Sequence, residues 1–361
     1  MTRDDERFMT EALDLAASAG FTSPNPRVGA VFVRDGVVVA RGRHQGPGTA
    51  HAEAQAMQAG ADVSGATLYV NLEPCVHHGH TPPCVSALVA AGIARVVVAG
   101  RDPDVRVRGR GLAALRAAGV EVREGVLGDA AARLNAAYAH HRSTGRPLVS
   151  LKLAFTLDGR LSAPDGSSRW ITGPAARRRV HERRAEVDAV MVGAGTVVVD
   201  DPHLSARDVD ARRQPARVVV DAVGRVPATA RVFAPGARTI VATTAQAPHE
   251  AQLAWKEAGA EVELVAAGGG GVDLVALCAH LGADGMLEVL CEGGGALATS
   301  LLRAGLVDRL ELHLGAAIVG PGGATLGDVG VTTMTGALRW RRLSTEPCDD
   351  DVIVVLERVP G

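Results

Sequence analysis

The residues best suited to chemistry lie between His51 and Cys84. One imidazole, His51, and two thiols, Cys75 and Cys84, form the kind of ligand set that holds a catalytic Zn²⁺ with its fourth position left for water. Glu53 follows His51 by two residues, and at a helix N-terminus both side chains can reach over the end of the helix. A carboxylate beside a metal-bound water can shuttle its protons. The pattern predicts a zinc-activated water with Glu53 as its general acid and base.

Two thiolates and a neutral imidazole roughly balance the charge of the metal, which lowers the pKa of its water toward neutrality. In nucleobase deaminases such a water attacks a ring carbon bearing an exocyclic amine, and their two cysteines are separated by two residues. Here eight residues separate Cys75 from Cys84. A closed structural zinc site, which usually has four ligands at paired short spacings, and unrelated core residues are the alternatives.

The predicted secondary structure of the part of the chain that carries these ligands alternates between helices and strands. In the first part of the chain, helices are predicted over 4–19, 51–59, 84–91, 111–118 and 129–142, and strands over 28–33, 37–40, 66–70, 95–99 and 120–122. Such alternation is typical of a layered α/β domain. The polar segment 141–147, with Gly145 and Pro147, predicts a boundary that gives domains 1–146 and 147–361.

The α/β pattern restarts after this boundary. Strands are predicted over 148–154, 189–192, 216–220, 238–243, 261–265, 286–291 and 351–356, and helices over 174–186 and 296–303. The glycine-rich segment 266–271 is interpreted as a flexible connector and not as a phosphate loop.

Two features of this second half suggest a site. Glycines 293–295 follow a predicted buried strand and open a helix, where backbone N–H groups can approach a phosphate, although helix caps and bulges have the same pattern. Lys152 and Lys256 are the only lysines of the chain. A lysine in an apolar strand favours a role for a compact ammonium, and the alternative is an edge residue whose stem covers apolar surface.

Composition excludes several classes of protein. A net charge of −2 argues against nucleic-acid binding, and the absence of any run of about 18 apolar residues argues against a membrane span. The charged N-terminus leads into no apolar signal segment. Five cysteines at irregular spacing do not form a disulfide framework, so we expect a cytoplasmic, reduced protein.

Together these motifs resemble the bifunctional deaminase–reductase family of riboflavin biosynthesis, over nearly the whole chain. Four segments resemble the deaminase half of the family, namely Pro24-Asn25-Pro26-x-Val28-Gly29, His51-Ala52-Glu53, Leu72-Glu73-Pro74-Cys75-x-His77-His78-Gly79 and Thr81-Pro82-Pro83-Cys84. Further segments resemble the reductase half, namely Leu151-Lys152-Leu153-Ala154, Leu157-Asp158-Gly159-Arg160, Ser168-x-Trp170-Ile171-Thr172-Gly173, Gly195-Thr196, Asp200-Asp201-Pro202-x-Leu204-x-x-Arg207 and Cys291-Glu292-Gly293-Gly294-Gly295-Ala296-Leu297. The long span between the cysteines is specific to this family, which commonly has Lys or Arg where this chain has His80.

The resemblance implies a fold, cofactors and site residues. The fold would be a cytidine-deaminase-like three-layer α/β/α domain followed by a dihydrofolate-reductase-like α/β domain, with Zn²⁺ and NADPH as cofactors. Asn25, His44 and His77 would contact the deaminase substrate, and Lys152 would act in reduction. The implied NADPH residues are Ala154, Trp170, Thr196, Asp200, Gly294, Gly295, Ala296 and Leu297. The implied residues for the second substrate are Ser168, Arg184, Leu204, Arg207 and Glu292, with the two arginines on its phosphate, although isolated arginines are usually surface residues.

The predicted function is therefore deamination of a phosphoribosylated diaminopyrimidinone followed by NADPH-dependent reduction of its sugar from ribosyl to ribityl. The expected partners are these small molecules and further copies of the chain, with neither nucleic acid nor membrane. Two alternatives stay open at this point. One is a cytidine or tRNA-adenosine deaminase with an unrelated appended domain, and the other is a zinc-stabilised binding module.

Overall fold

The chain forms two compact units, Met1–Gly145 and Arg146–Gly361. The structure, a computed structural model, describes residues 2–58, 60–76, 83–269 and 271–359. Within these residues, no helix is long and apolar enough to span a membrane.

The first unit contains one mixed sheet. Its strands are β1 (Gly29–Arg34), β2 (Val37–Arg43), β3 (Thr67–Val70), β4 (Arg95–Val98) and β5 (Glu121–Glu124). Its helices are α1 (Arg3–Ala17), α2 (Ala52–Gln58), α3 (Cys84–Ala90), α4 (Arg110–Ala117), α5 (Gly128–Leu134) and α6 (Ala136–Thr144). The strand order is β2-β1-β3-β4-β5, in which β1 is antiparallel to both neighbours and β3, β4 and β5 are parallel.

Helices cover both faces of this sheet. Successive side chains of a strand point to opposite faces, so Phe32 packs with α2, α3 and α4 while Val31 and Val33 pack with α1. These apolar clusters bury both faces, which confirms the predicted three-layer α/β/α arrangement. Helix α2 directly follows His51 and helix α3 begins at Cys84, and both helices lie on the same face of the sheet.

Gly42 in β2 allows α2 to lie close to the sheet. A Cβ at this position would lie 2.1 Å from the carbonyl oxygen of Ala52 and 2.7 Å from the amide nitrogen of Ala56. Because these contacts are with backbone, Gly42→Ala should push α2 outward and lower the free energy of unfolding of this unit by about 1–3 kcal/mol. Calorimetry of the full chain would measure the shift of its transition. Gly100→Ala is the matched control, since its Cβ would meet no atom within 4 Å. Equal transitions for the two variants would contradict the prediction.

The predicted single helix over 129–142 is wrong, because the chain breaks at Asn135 into α5 and α6. The side chain of Asn135 binds the backbone of Arg27 instead of solvent. Its Oδ1 accepts from the Arg27 amide at 2.8 Å and its Nδ2 donates to the Arg27 carbonyl at 2.9 Å. Asparagine often interrupts a helix by hydrogen-bonding to backbone in this way. These two hydrogen bonds hold Arg27 in place, and with it the loop that carries Asn25.

The second unit is built on a larger sheet. Its main strands are β6 (Leu148–Phe155), β7 (Ala189–Gly193), β8 (Ala216–Val220), β9 (Thr239–Thr243), β10 (Glu261–Leu264), β13 (Glu288–Cys291), β14 (Arg309–Leu314), β15 (Trp340–Cys348) and β16 (Asp351–Arg358). A separate pair comprises β11 (Ala267–Gly268) and β12 (Gly271–Val272). Its helices are α7 (Pro174–Glu186), α8 (Ala194–Asp200), α9 (His249–Glu257), α10 (Leu274–Ala283) and α11 (Gly295–Arg303), with a short 3-10 helix at Arg231–Phe233.

The nine strands have the order β10-β9-β8-β7-β13-β6-β14-β16-β15. The strands from β10 to β14 are parallel, and β16 and β15 extend the sheet antiparallel at one edge. Two strands, β14 and β15, were not predicted. β15 is largely exposed and lacks an apolar stripe, whereas β14 was overlooked although Leu310, Leu312 and Leu314 alternate with Glu311 and His313. The predicted flexible connector over 266–271 is also wrong, since its described residues pair as β11 and β12.

The sheet face that carries Lys152 is apolar over β7, β8 and β9 but holds buried ion pairs around β6, β13 and β14. Leu151 and Leu153 point to the opposite face and pack with α10 and α11. On the Lys152 face, Arg183 of α7 lies 2.5 Å from Glu288 and 2.9 Å from Glu311. Burial alone would raise the pKa of Glu288, but the charges of Arg183 and Arg309 outweigh it and hold the pKa at about 2. Charge pairs therefore join α7 to this part of the sheet, in addition to its buried apolar residues Ala176 and Val180.

Candidate active sites

The predicted zinc ligands converge in the first unit. His51 lies directly before α2, Cys75 follows β3, and Cys84 is the first residue of α3. The Nδ1 atom of His51 lies 3.2 Å from the Cys84 sulfur and 3.5 Å from the Cys75 sulfur, and the three donor atoms lie within 4.8 Å of one another. Ligands around a tetrahedral zinc, with bonds of about 2.0–2.3 Å, are separated by about 3.3–3.8 Å. The donor set therefore fits zinc in both chemistry and spacing.

Each of the two thiols changes the pKa of the other. The contact with Cys84, assisted by His51, lowers the pKa of Cys75 to about 4, while the same contact and burial raise the pKa of Cys84. A dication would favour the thiolate form of both.

A buried carboxylate holds the loop that presents Cys75. Glu73 is 4% exposed, and its carboxylate accepts four backbone N–H groups, from Asp102, Gly109, Gly111 and Leu112, at 2.8 to 3.3 Å. Two of these groups lie in the first turn of α4, where the helix dipole favours negative charge. The loop after β3 is therefore anchored to the start of α4.

Glu53 lies in the first turn of α2 and is 3% exposed. It lines a cavity of about 150 Å³ together with His51 and Cys75. Burial raises the pKa of this carboxyl group. Glu53 therefore lines the same small cavity as His51 and Cys75, as the spacing of His51 and Glu53 predicts.

Asn25 and His44 line the same cavity and bind each other. The Nδ2 atom of Asn25 lies 3.0 Å from Nε2 of His44, and Nδ1 of His44 lies 3.2 Å from the carbonyl oxygen of Ala50. An amide that donates to Nε2 requires a neutral ring whose Nδ1–H donates to Ala50. Burial lowers the pKa of His44, which favours this neutral form. His77 and His80 lie outside the described residues.

In the second unit, one cavity of about 1720 Å³ contains all of the predicted reductase residues in its wall. They are Lys152, Ala154, Ser168, Trp170, Arg184, Thr196, Asp200, Leu204, Arg207, Glu292, Gly294, Gly295, Ala296 and Leu297. The cavity lies at the carboxyl ends of parallel strands, which is where open α/β sheets bind ligands.

Lys152, Glu292 and Arg184 form a charged group in this wall. Arg184 is 9% exposed and donates two hydrogen bonds to Glu292, at 2.5 and 2.7 Å, and a third to the Ser205 carbonyl at 3.0 Å. It is therefore not an ordinary surface arginine, and it offers a phosphate only its remaining N–H groups. Lys152 lies on β6, an inner strand, so it is not the edge residue of the alternative interpretation. Burial lowers the pKa of Lys152, and the charge of Glu292 opposes this.

The glycine turn after β13 forms the N-terminus of α11. Gly294 has a φ of +79°, which favours glycine, and a Cβ there would lie 2.9 Å from the Thr196 hydroxyl. A Cβ at Gly295 would lie 3.0 Å from the Thr325 carbonyl. The turn is thus the start of a helix that lines the cavity, and not a helix C-cap or a bulge.

Each of the two units matches a known protein family. The family described as the RibD C-terminal domain matches residues 147–354, and the cytidine and deoxycytidylate deaminase zinc-binding region matches residues 2–100. A riboflavin biosynthesis protein RibD of Aquifex aeolicus is 40% identical over 98% of this chain and 98% of its own length. The chain belongs to the RibD family.

Other RibD proteins agree with this assignment. Escherichia coli RibD is 41% identical over 88% of this chain and 89% of its own length. The solved structure of Acinetobacter baumannii RibD has a TM-score of 0.89 and 35% identity, with 99% of each chain covered. A Thermotoga maritima diaminohydroxyphosphoribosylaminopyrimidine deaminase/5-amino-6-(5-phosphoribosylamino)uracil reductase has a TM-score of 0.88 and 34% identity, again with 99% of each chain covered.

As a RibD protein, the chain is a bifunctional deaminase and reductase of riboflavin biosynthesis, with a zinc-binding deaminase domain and an NADPH-dependent reductase domain. The predicted family, fold class, cofactors and general function are confirmed. An unrelated appended domain is disfavoured because the RibD relatives match across both halves of the chain. The roles of individual residues stay predictions.

Sequence reasoning missed several residues that line the two cavities of this RibD protein. In the deaminase cavity they are Asp102, Asp104, Arg106, Tyr138 and Arg142, and in the reductase cavity they include Arg177, His181, His203, Arg225 and Arg231. Asp102 accepts a hydrogen bond from the Tyr138 hydroxyl at 3.1 Å. Asp102 and Asp104 lie four and six residues beyond the end of the buried strand β4, and acidic residues in the loop after a buried strand were the available signal. Tyr138 gave no such signal, because it comes from a distant helix.

Proposed function

We propose that residues 1–145 deaminate 2,5-diamino-6-ribosylamino-4(3H)-pyrimidinone 5′-phosphate and that residues 146–361 reduce the product, 5-amino-6-(5-phosphoribosylamino)uracil, to its ribitylamino form. The observation that carries the proposal is the cluster of His51, Cys75 and Cys84 beside a small cavity that His51, Cys75 and Glu53 line. A separate large cavity, lined by every predicted reductase residue, supports the second step. The name of the Thermotoga maritima relative, a deaminase and reductase for these two kinds of compound, supports this choice of substrates.

In the deamination step, Glu53 moves the protons. Zinc held by His51, Cys75 and Cys84 would supply a Lewis acid that lowers the pKa of water. Glu53 would accept a proton from the attacking water as the C–O bond forms, and would then deliver it to the exocyclic nitrogen as the C–N bond breaks and ammonia leaves. Asn25, His44 and His77 would orient the pyrimidine. Asn25 and His44 both line the cavity, and the contact of the Asn25 amide with Nε2 of His44, together with that of Nδ1 with Ala50, holds the two side chains in place there.

In the reduction step, the residues mainly bind and orient. NADPH would supply a hydride to C1′ of the sugar, and the opening C1′–O4′ bond requires a proton on O4′. Lys152 would donate this proton, since its ammonium lines the cavity beside Glu292. Glu292, held by Arg184, and Ser168 and Leu204 would position the substrate, with Arg207 on its phosphate. Residues 294–297, with Ala154, Trp170, Thr196 and Asp200, would hold the cofactor. A homo-oligomeric assembly stays a prediction that light scattering can measure.

A coupled assay with metal removal tests this function. Chelation should abolish ammonia release from the diaminopyrimidinone, whereas NADPH oxidation with the deaminated substrate should continue, because the zinc ligands belong to the first unit alone. Far-UV circular dichroism should stay unchanged, since a catalytic zinc is not required for folding in the way that a structural zinc is. Added Zn²⁺ should restore ammonia release.

The control is the same chelator already saturated with zinc, which should change neither activity. Unfolding of the first unit on chelation would indicate a structural zinc. Failure to oxidise NADPH with supplied deaminated substrate would refute the reductase assignment.

A further inference from the structure

His313 is a buried polar residue to which the proposed mechanism gives no role. It lies on β14, an inner strand between β6 and β16, and is 1% exposed. Within the described residues, its Nδ1 atom has no hydrogen-bond partner. An unpaired buried polar atom is costly and rare in folded proteins, so we expect a neighbouring group to bind this nitrogen.

The register of the sheet places His313 beside Lys152. Strands β14 and β6 are parallel, with Glu311 opposite Lys152 and His313 opposite Ala154. The leucines of β14 pack in the apolar core on the opposite face, so His313 and Lys152 share one face. From the spacing of strands and the rise per residue, their Cα atoms are about 8 Å apart. Diagonal neighbours at this separation are within reach of aromatic and long side chains.

The ammonium of Lys152 has donors without an acceptor. Within the described ranges, no hydrogen bond or ion pair involves this group, although the charges of Glu292 and Glu311 act on it. Both carboxylates are bound by arginines of α7. Glu292 accepts from Arg184 at 2.5 and 2.7 Å, and Glu311 lies 2.9 Å from Arg183. An ammonium carries three N–H donors, and a lysine stem is flexible enough to turn one of them toward a diagonal neighbour.

The other carboxylates around this face are also paired. Glu288 of β13 lies 2.5 Å from Arg183, and Glu346 of β15 lies 3.6 Å from Arg179. Asp351 of β16 accepts from a backbone amide at 2.6 Å. Among the described residues, each of these carboxylates has a partner, whereas the lysine and the histidine do not.

The protonation state of His313 suits an acceptor. Burial and the charge of Lys152 lower the pKa of His313 to about 3, so its ring is neutral at physiological pH. A neutral imidazole has one nitrogen that accepts a hydrogen bond, and an ammonium only donates. The two groups are therefore complementary.

We propose that His313 is a positioning residue for Lys152, whose ammonium donates a hydrogen bond to Nδ1 of His313 and turns its remaining N–H groups toward the cavity. The proposal rests on the proposed function, in which Lys152 donates a proton to O4′ of the substrate. Lys152 lines the cavity and is half-buried, and burial lowers its pKa. A hydrogen bond to the charged form of a group favours that form, so His313 would keep the proton on the lysine until the sugar ring opens.

The small number of lysines allows this contact to be measured without any assay of activity. The chain contains only Lys152 and Lys256, so the full chain labelled with ε-¹³C-lysine gives two side-chain signals, which Lys256→Met assigns. His313→Phe keeps a ring but removes the acceptor, and should lower the pKa of Lys152 by about 1–2 pH units, the effect of losing a hydrogen bond to a charged group. His313→Asn, whose amide oxygen can take the place of Nδ1, should restore most of this loss. The Lys256 signal should titrate identically in all of these variants that retain it.

The reductase rate of the same variants provides the second measurement. In His313→Phe, the alkaline limb of the kcat profile should move to lower pH by the same amount, because the proton-donating ammonium is lost earlier. On that limb kcat should fall by about 10- to 100-fold, while the KM values for NADPH and substrate stay constant. Ammonia release should be unchanged, because His313 belongs to the second unit alone.

His249→Phe is the matched control, since this histidine is exposed at the start of α9, and it should change neither the pKa of Lys152 nor the rate. Thermal unfolding of each variant is recorded, and His313→Leu provides a second apolar variant of smaller volume. An unchanged pKa of Lys152 in both apolar variants would overturn the proposal, and so would an equal loss in His313→Asn. A lowered pKa without any change of rate would confirm the hydrogen bond and refute the proton-donating role of Lys152 in the proposed function.

Discussion

The Glu53→Gln variant should release ammonia about 10²- to 10⁴-fold more slowly than the unmodified chain, which is the usual contribution of a positioned general acid–base. Glutamine keeps the size of the side chain but cannot accept and return a proton. The carboxylate is 3% exposed within the small cavity of the metal ligands, so bulk water cannot easily replace it as a base. NADPH oxidation with the deaminated substrate should be unaffected, because Glu53 belongs to the other compact unit.

Zinc content and both rates of the variant would be measured together. Glu121→Gln serves as the control, since this carboxylate is 68% exposed and lies on β5, outside the cavity wall. Loss of both activities together would argue against separate sites. Full deaminase activity in Glu53→Gln would remove the residue from the mechanism.

Lys152→Met should have the complementary effect, with reduction slowed by about 10²- to 10⁴-fold and deamination unchanged. Methionine has a similar length but carries no ammonium to donate a proton. Folding should survive the change, because Glu292 keeps its two hydrogen bonds to Arg184 and is not left as an unpaired buried charge.

The other lysine of the chain provides the control for this variant. Lys256 is exposed on α9, so Lys256→Met should change neither rate. Steady-state NADPH oxidation and thermal unfolding of both variants would be compared. Reduction at the normal rate in Lys152→Met would show that another group supplies the proton.

Sequence alone could predict those parts of the sites whose chemistry is local. His51 and Glu53 both lie at the start of α2, and the glycines after β13 lie at the start of α11. In each case the spacing along the chain is enough to predict the arrangement. Cys75 and Cys84 are nine positions apart and only their residue types, together with family resemblance, indicated that they meet.

Features that depend on distant partners could not be predicted in this way. The pair of Arg184 with Glu292 joins residues 108 positions apart, and the contact of Tyr138 with Asp102 joins α6 to the loop after β4. Strand β14 was overlooked although its sequence alternates between leucines and polar residues in the way that predicts a strand. What the alternation could not predict is that its polar face is buried, with Glu311 paired to Arg183.

The break at Asn135 also bears on how this protein can be divided into fragments. The matched zinc-binding region ends at residue 100, yet Asn135 holds the loop of Asn25 through Arg27, and Tyr138 binds Asp102 in the cavity wall. A fragment cut at residue 100 would keep all three metal ligands and Glu53 but lose these supports. An autonomous deaminase taken from this chain therefore has to include α5 and α6, although neither helix contributes a ligand to the metal.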